Sequence, residues 1–543
     1  MAAFVVHRFL DRLASALLPF GAWLLGFVGI VAVRTMFEAA SSRALTGNPV
    51  LDAATFLHYL LFYLTLLLAL VLVVHLATRR PVLGLTNQAL YILPVLWLAP
   101  LIDLMFTGFG GAPMAYLYQA WPTLARSLGS YFGPLVYPGV TFGIRVEVLL
   151  ILVAIGWYAF TVCRSWWRAM FTALTAYFII FIWVAWPSVI AGIAHTISSV
   201  GYIAVAGWWQ ESLLSSYVAQ QTFFVGLPIS WRLELLFNLV MSQLYYLAAL
   251  ALAALWLWRH DRRQFMAWLR NARGERILHY LLLMLLGWLV GAKLADSPSL
   301  DSWVDVLRLV TLALTLCCAW LQTVATNDVA DVAIDAVTNP NRPLIRGELS
   351  SIDMKRYGNI FLFIALVGGV MLGWYTLLAV VTFLAAYGAY SMPPLRLKRV
   401  PVLATFLISL ACLAAAVAGF SIVHHGNPLA TFPHSLALLI VLGFTLGANF
   451  KDIKDVAGDA RGGIPTLLTL LGEKRGQQVV GVLVVVSMCL APMILRVPLL
   501  WFTSLPAALV AYGVINHRPY REIYVFLTYF TYLIASVLVW AFR

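Results

Sequence analysis

"LALTLCCAWLQTVATNDVADVAID", residues 312–335, begins as hydrocarbon and ends as carboxylate. Its first half holds no charged residue, while its last nine positions hold three aspartates and an asparagine. The apolar part lies in a run, 304–326, that meets the roughly 20 residues a helix needs to cross a bilayer core. On a helix, Asn327, Asp331 and Asp335 stand at i, i+4 and i+8 and share one face within roughly 80°. "KDIKDVAGD", residues 451–459, repeats the design after a second apolar run, 434–450. There Asp452, Asp455 and Asp459 stand at i, i+3 and i+7, again on one face.

The surrounding chain is 62% hydrophobic and 10% charged, with a mean hydropathy of +0.91. Backbone in lipid must satisfy its hydrogen bonds internally, so the sequence predicts an all-α polytopic membrane protein. Apolar runs place six helices in the first half, near 11–33, 56–77, 82–107, 146–163, 169–195 and 233–257. Nine follow, near 278–295, 304–326, 357–373, 374–391, 402–423, 434–450, 477–494, 498–516 and 522–541. The first run lacks a small-residue cleavage site and is read as a retained helix. The five cysteines form no CxxC pair and are expected as packed thiols.

The net charge of +13 fits a positive-inside bias rather than nucleic-acid binding. With the N-terminus cytoplasmic, Arg79–Arg80, Arg164 with Arg168, Arg259–Arg276, Arg342–Arg356, Arg396–Arg399 and Lys451–Arg475 fall on one side. That orientation makes both aspartate segments cytoplasmic and puts the C-terminus outside, in what is read as a bacterial inner membrane. The basic, aromatic stretch 258–276 suits a helix lying on an anionic membrane surface. It divides an accessory transmembrane domain, 1–257, from a C-terminal transmembrane domain, 277–543. Within the first domain Arg145-Val-Glu147 recurs as Arg232-Leu-Glu234, an offset of 87 residues that reads as a pseudo-repeat. These Arg-x-Glu pairs are read as interfacial anchors. The outward loops 108–144 and 196–231 are candidates for binding lipid or a protein partner.

Two facing carboxylate surfaces repel unless cations lie between them. Oxygen-only donors suit Mg²⁺, which takes one or two carboxylates, keeps waters and is completed by phosphate oxygens. The metal set expected is Asn327, Asp328, Asp331, Asp335, Asp452, Asp455 and Asp459, with Asp328 ranked lowest because it points off the shared face. Basic residues lie close by: Arg342 and Arg346 in "NPNRPLIRG" after the first segment, and Arg396, Lys398 and Arg399 in "YSMPPLRLKR" between the two. Arginine forks and lysine charges are what a diphosphate requires.

At these residues the sequence resembles the UbiA superfamily of intramembrane prenyltransferases. "NDVADVAIDAVTNPNRPLIRGELS" is similar to that family's first signature, and "KDIKDVAGDARGGIPTLLTLLG" to its second. "YSMPPLRLKR" resembles the segment between them, and the likeness runs over about residues 275–543. It implies a nine-helix bundle and Mg²⁺-dependent transfer of a polyprenyl group from an allylic diphosphate to a small, electron-rich, quinone-precursor-like acceptor. Asp331 and Asp455 would be catalytic through metal. Asn327, Arg342, Arg346, Lys398 and Arg399 would bind diphosphate, and Tyr390 or Tyr387 would face the allylic cation. "ARGERILHYLLLMLLGW" lacks the proline that many members carry at their first helix, so the acceptor is left open. Two alternatives stand beside this reading: a cation-coupled transporter using the aspartates, and a lipid-phosphate phosphoribosyl transferase.

Overall fold

A computed structural model describes residues 12–42, 47–107, 115–119, 121–198, 205–216, 228–295, 302–424 and 427–541. Both termini and parts of the outward loops 108–144 and 196–231 lie outside the described residues, so their expected roles find no structural account. Among the described residues there are helices and no strands, and fifteen helices are long and apolar enough to cross a membrane. The chain packs as two compact units, Met1–Arg262 with Ser302–Val304, and Arg263–Asp301 with Asp305–Arg543.

In the first unit the 30-residue helix Pro49–Thr78 is central. Asn48 caps it by accepting from the amides of Val50 and Leu51, leaving fewer orphan donors at its first turn. It packs against Phe142–Cys163, Trp166–Val184 and Ile229–His260. Prolines punctuate this unit where hydropathy alone runs on. Phe20–Ser42 starts after Pro19 rather than at 11, Leu93–Trp97 is a 3₁₀ turn around Pro94, and the run 169–195 breaks before Pro187. The anchor reading of Glu147 is corrected. Its carboxylate is buried, 3.4 Å from the Arg34 guanidinium, and accepts from the Ala99 amide. Arg34 also donates to Leu96 O and Tyr63 Oη, so the cluster ties the helix break at 93–97 to its neighbours. Arg145, two residues before Glu147, instead caps the loop through Gly133 O.

The second unit begins within Arg262–Asn271, one face of which is buried. Ala267 and Trp268 are buried with Ala325, Leu349 and Met354, edged by Tyr357 and Phe361. The stretch expected as a surface helix therefore contributes to the unit's core. Arg273 then takes a left-handed backbone conformation (φ 55°) and launches Gly274–Leu294. That helix crosses Leu403–Ser421 with backbones nearly touching: a Cβ on Gly287 would lie 1.8 Å from Ala416 O, and one on Gly419 1.9 Å from Met284 O. Small residues at membrane helix crossings allow this approach where lipid supplies no hydrophobic drive.

Several helices start earlier than their apolar runs because their first turns are polar and capped. Ser351–Leu372, expected from 357, opens with a capping box: the Asp353 amide donates to Ser350 Oγ at 3.0 Å, and Asp353 Oδ2 accepts from the Ser350 amide. Ser350→Ala should cost about 1 kcal/mol, read as a lowered Tm of the detergent-solubilised protein. An unchanged Tm would mean that this cap contributes nothing.

Candidate active site

Both aspartate segments bend at their middle carboxylate. Trp303–Ala330 ends, Asp331 takes φ −111° and ψ 14°, and the short helix Val332–Thr338 follows. The second segment passes from the 3₁₀ turn Ala448–Asp452 through Asp455, at φ −99° and ψ 3°, into Val456–Arg461. Turn-to-turn bonds nonetheless carry through: Asp331 N donates to Asn327 O, Asp335 N to Asp331 O, and Asp459 N to Asp455 O. The sequence reading of two uninterrupted helical faces is thus corrected to two kinked ones. Neither Asp331 nor Asp455 spends its carboxylate on capping the short helix that follows it.

The two short helices meet at Gly458. A Cβ there would lie 2.5 Å from Thr338 Cγ2 and 3.0 Å from Ile334 Cγ2, so only glycine allows this crossing. Asn339 joins the segments directly, its Nδ2 donating to Asp335 Oδ1 at 3.1 Å and to Asp455 Oδ1 at 3.3 Å. Between the segments lies a cavity of about 260 Å³ whose wall includes Asn327, Asp331, Asp335, Asp452, Asp455 and Asp459.

Basic side chains neutralise the carboxylates in this arrangement. Asp331 accepts from Arg396 at 2.9 Å and from Lys398; Asp335 accepts from Arg342; Lys451 lies 2.5 Å from Asp452. Asn327 Oδ1 accepts from Ser391 Oγ. Burial raises the Asp335 carboxyl to about 6 against the pull of Arg342. Burial, with Asp452 and Asp455 nearby, raises Asp459 to about 7. Burial also lowers Lys398 below the usual lysine range, partly offset by Asp331. Tyr390 and Tyr387 line the same cavity, with the Lys451 ammonium 5.5 Å from the Tyr390 ring centre. Tyr387 shares a hydroxyl hydrogen bond with Tyr280 and packs on Trp320 and Phe383.

The donor set suits Mg²⁺: six side chains offer oxygen and none offers sulfur or imidazole. No three acidic, His or Cys side chains among the described residues already converge on one point. Carboxylates stand on both walls of the cavity.

Residues 281–524 match the UbiA prenyltransferase family. The C-terminal unit belongs to that family. Digeranylgeranylglyceryl phosphate synthase of Pyrococcus horikoshii is 32% identical over 176 residues, which is 32% of this chain and 59% of that protein. The chloroplastic homogentisate solanesyltransferase of Arabidopsis thaliana is 30% identical over 203 residues, 34% of this chain and 50% of the relative. The chain spans about half the length of the curated relatives it matches. Among solved structures, a UbiA homologue from Archaeoglobus fulgidus, bound to GPP and Mg²⁺, aligns at 19% identity with a TM-score of 0.41, covering 50% of this chain and 99% of that one.

Within the UbiA-type unit three sequence-predicted residues stand apart from the cavity. Asp328 is fully buried, absent from the cavity wall, and held by Asn271 at 2.8 Å, Arg273 at 2.5 Å and Arg342 at 3.1 Å, so its carboxylate anchors those side chains. Arg346 is exposed and pairs with Glu348 at 3.4 Å. Arg399 faces solvent, and it is Arg396, itself off the cavity wall, that donates to Ala330 O and Asp331. Sequence reasoning missed Asn271, Arg273 and Asn339 as parts of this arrangement. The signal for Asn339 was present in "NPNRP", an amide one turn beyond Asp335. Arg273 was absorbed into a charge run and carried no signal of its own.

Proposed function

We propose that the C-terminal unit transfers a polyprenyl group from an allylic diphosphate to an electron-rich, aromatic acceptor in a magnesium-dependent reaction. The observation that most supports this is one cavity walled by both aspartate segments and by Arg342, Lys398 and Lys451, adjoining a long apolar chamber through Arg276, Tyr387 and Lys451. Asn327, Asp331 and Asp335 on one wall, with Asp452, Asp455 and Asp459 on the other, would hold Mg²⁺. A metal held by these residues would supply positive charge that stabilises the diphosphate leaving group. Arg342, Arg396 and Lys398 hold phosphoryl oxygens as the allylic C–O bond breaks and its electron pair leaves with diphosphate. The Tyr387 and Tyr390 rings present π-faces to the allylic cation. The acceptor's nucleophilic atom then bonds to the allylic carbon and its proton leaves. The aspartate segments face the cytoplasm, where diphosphates are soluble. Residues 263–543 carry the chemistry, and residues 1–262 form an accessory membrane unit.

The test is turnover by the purified full chain, given allylic diphosphates and candidate acceptors with Mg²⁺ or with chelator. Metal-dependent diphosphate release is expected. If no allylic diphosphate binds in Mg²⁺, the reading is wrong.

A pH dependence follows from the raised carboxyls. Folded Asp335 and Asp459 hold their protons up to about 6 and about 7, above the usual carboxylate range, and must release them to ligate metal. Apparent Mg²⁺ affinity should rise with pH and level off above about 7, falling about tenfold per proton and pH unit below those values. Calorimetry in two buffers of different ionisation enthalpy would register the released protons. Equal heats at pH 6 would contradict the assignment.

A further inference from the structure

We propose that the donor is a long-chain polyprenyl diphosphate of about six isoprene units or more, with its chain laid along a chamber whose outer end is set by Trp540 and Lys293. This rests on the prenyltransferase reading above and adds the length class of the substrate. The chamber has a volume of about 380 Å³ and lies among Gly274–Leu294, His434–Gly447, Glu473–Ile494 and Glu522–Ala541. Two of its walls measure it independently. On one helix the lining runs from Arg276 to Leu294, and on the other from Glu522 to Trp540. At the helical rise each interval is about 27 Å, most of a bilayer core.

Its polar groups say what kind of molecule fits. Among the lining residues, cations and the carboxylate of Glu522 are confined to the neck, where Arg276, Tyr387 and Lys451 also line the aspartate cavity; Lys293 stands at the opposite end, behind Trp540. Below the neck the polar side chains, apart from the exposed Ser435, already have partners in the protein. His279 uses both ring nitrogens, on Tyr529 Oη at 3.1 Å and Cys412 Sγ at 3.2 Å. Tyr532 donates to Met488 O, Ser487 to Val484 O, and Ser536 pairs with Thr503. A hydroxylated ring placed there would lose its own hydrogen bonds to water without gaining others. A hydrocarbon chain loses nothing. The neck therefore suits the diphosphate end of the donor, and the chamber suits its tail.

The length follows from the height. Bond geometry gives an extended isoprene unit roughly 4–5 Å, so about six units fill 27 Å. At the outer end Lys293 Nζ sits 4.4 Å from the Trp540 ring centre and 3.5 Å from Trp540 O, tying the two walls together there. Leu533 lines the chamber about 16 Å from the level of Glu522, or between three and four units along it.

The experiment measures competition by allylic diphosphates of two, three, four, six and eight isoprene units for the full chain in vesicles with Mg²⁺. It compares wild type, Leu533→Trp and Trp540→Ala. Lipid tails are as apolar as the chamber, so packing rather than transfer from water separates the lengths. Wild-type affinity should rise roughly tenfold from two units to six and then level off. Leu533→Trp should move the levelling point to about four units, and Trp540→Ala should move it beyond six. A profile indifferent to length and to Leu533→Trp, with diphosphates still binding, would overturn the chain-length proposal alone. Failure of every diphosphate to bind in Mg²⁺ would instead remove the prenyltransferase reading on which it rests. If short diphosphates bind but lipid-tailed acceptors compete for the chamber, the tail belongs to the acceptor and the proposal is overturned.

Discussion

Asp331→Ala and Asp455→Ala should each lower diphosphate release by the full chain about 10³-fold or more, with the protein still folded. The two positions are equivalent in construction. Each is the bend of its segment, each precedes a short helix without capping it, and each lines the cavity from an opposite wall. On the function proposed above, removing either would take a ligand from one side of a clamp that neutralises charge on a leaving group, and that charge is largest in the transition state. The loss should therefore appear in kcat rather than in KM alone. Asp328→Asn offers the contrast. Its carboxylate is spent on Asn271, Arg273 and Arg342, so the variant should lose thermal stability while Mg²⁺ still activates what remains. Losses under tenfold in both alanine variants would mean that the carboxylates hold no catalytic metal.

How much of this was legible in the sequence depends on whether a property was local. Apolar length gave the polytopic class because a bilayer imposes one number on every span. The ends of those spans were less legible, since a capped polar first turn such as Ser350 to Asp353 scores as loop by hydropathy. Prolines at 19, 94 and 187 shift or break runs that composition leaves whole. In the site, helical spacing brought Asn327, Asp331 and Asp335 onto one side and set Asp328 apart, since both are consequences of a repeat of 3.6. Which guanidinium reaches which carboxylate was not legible. Arg396 and Arg399 are three residues apart in one basic segment, and only the left-handed turn at Arg396 (φ 40°) decides which faces Asp331. Asn271 and Arg273 lie more than fifty residues before Asp328, and no local pattern announces that pairing.

Lys398→Met should move two measurements in opposite directions: binding of Mg²⁺ alone tightens several-fold, while kcat falls about 10²-fold. The Asp331 carboxylate that a metal would use is already neutralised by Lys398 and by Arg396 at 2.9 Å. A metal ion arriving alone must displace these side chains into a space with no anion to receive them. A metal ion arriving with diphosphate brings phosphoryl oxygens to which the same ammonium can turn, so metal and diphosphate bind better together than apart. The lysine is thus a competitor of one ligand and a partner of the other. Methionine keeps the hydrocarbon stem and removes the charge, which frees Asp331 for the metal but leaves diphosphate short of a donor. Calorimetric titration with Mg²⁺, with and without an unreactive diphosphate, measures the coupling directly, and it should shrink in the variant. General damage to the fold weakens both ligands and turnover alike. If Mg²⁺ affinity and kcat fall together, Lys398 is a structural counter-ion of Asp331, and the exchange of partners does not occur.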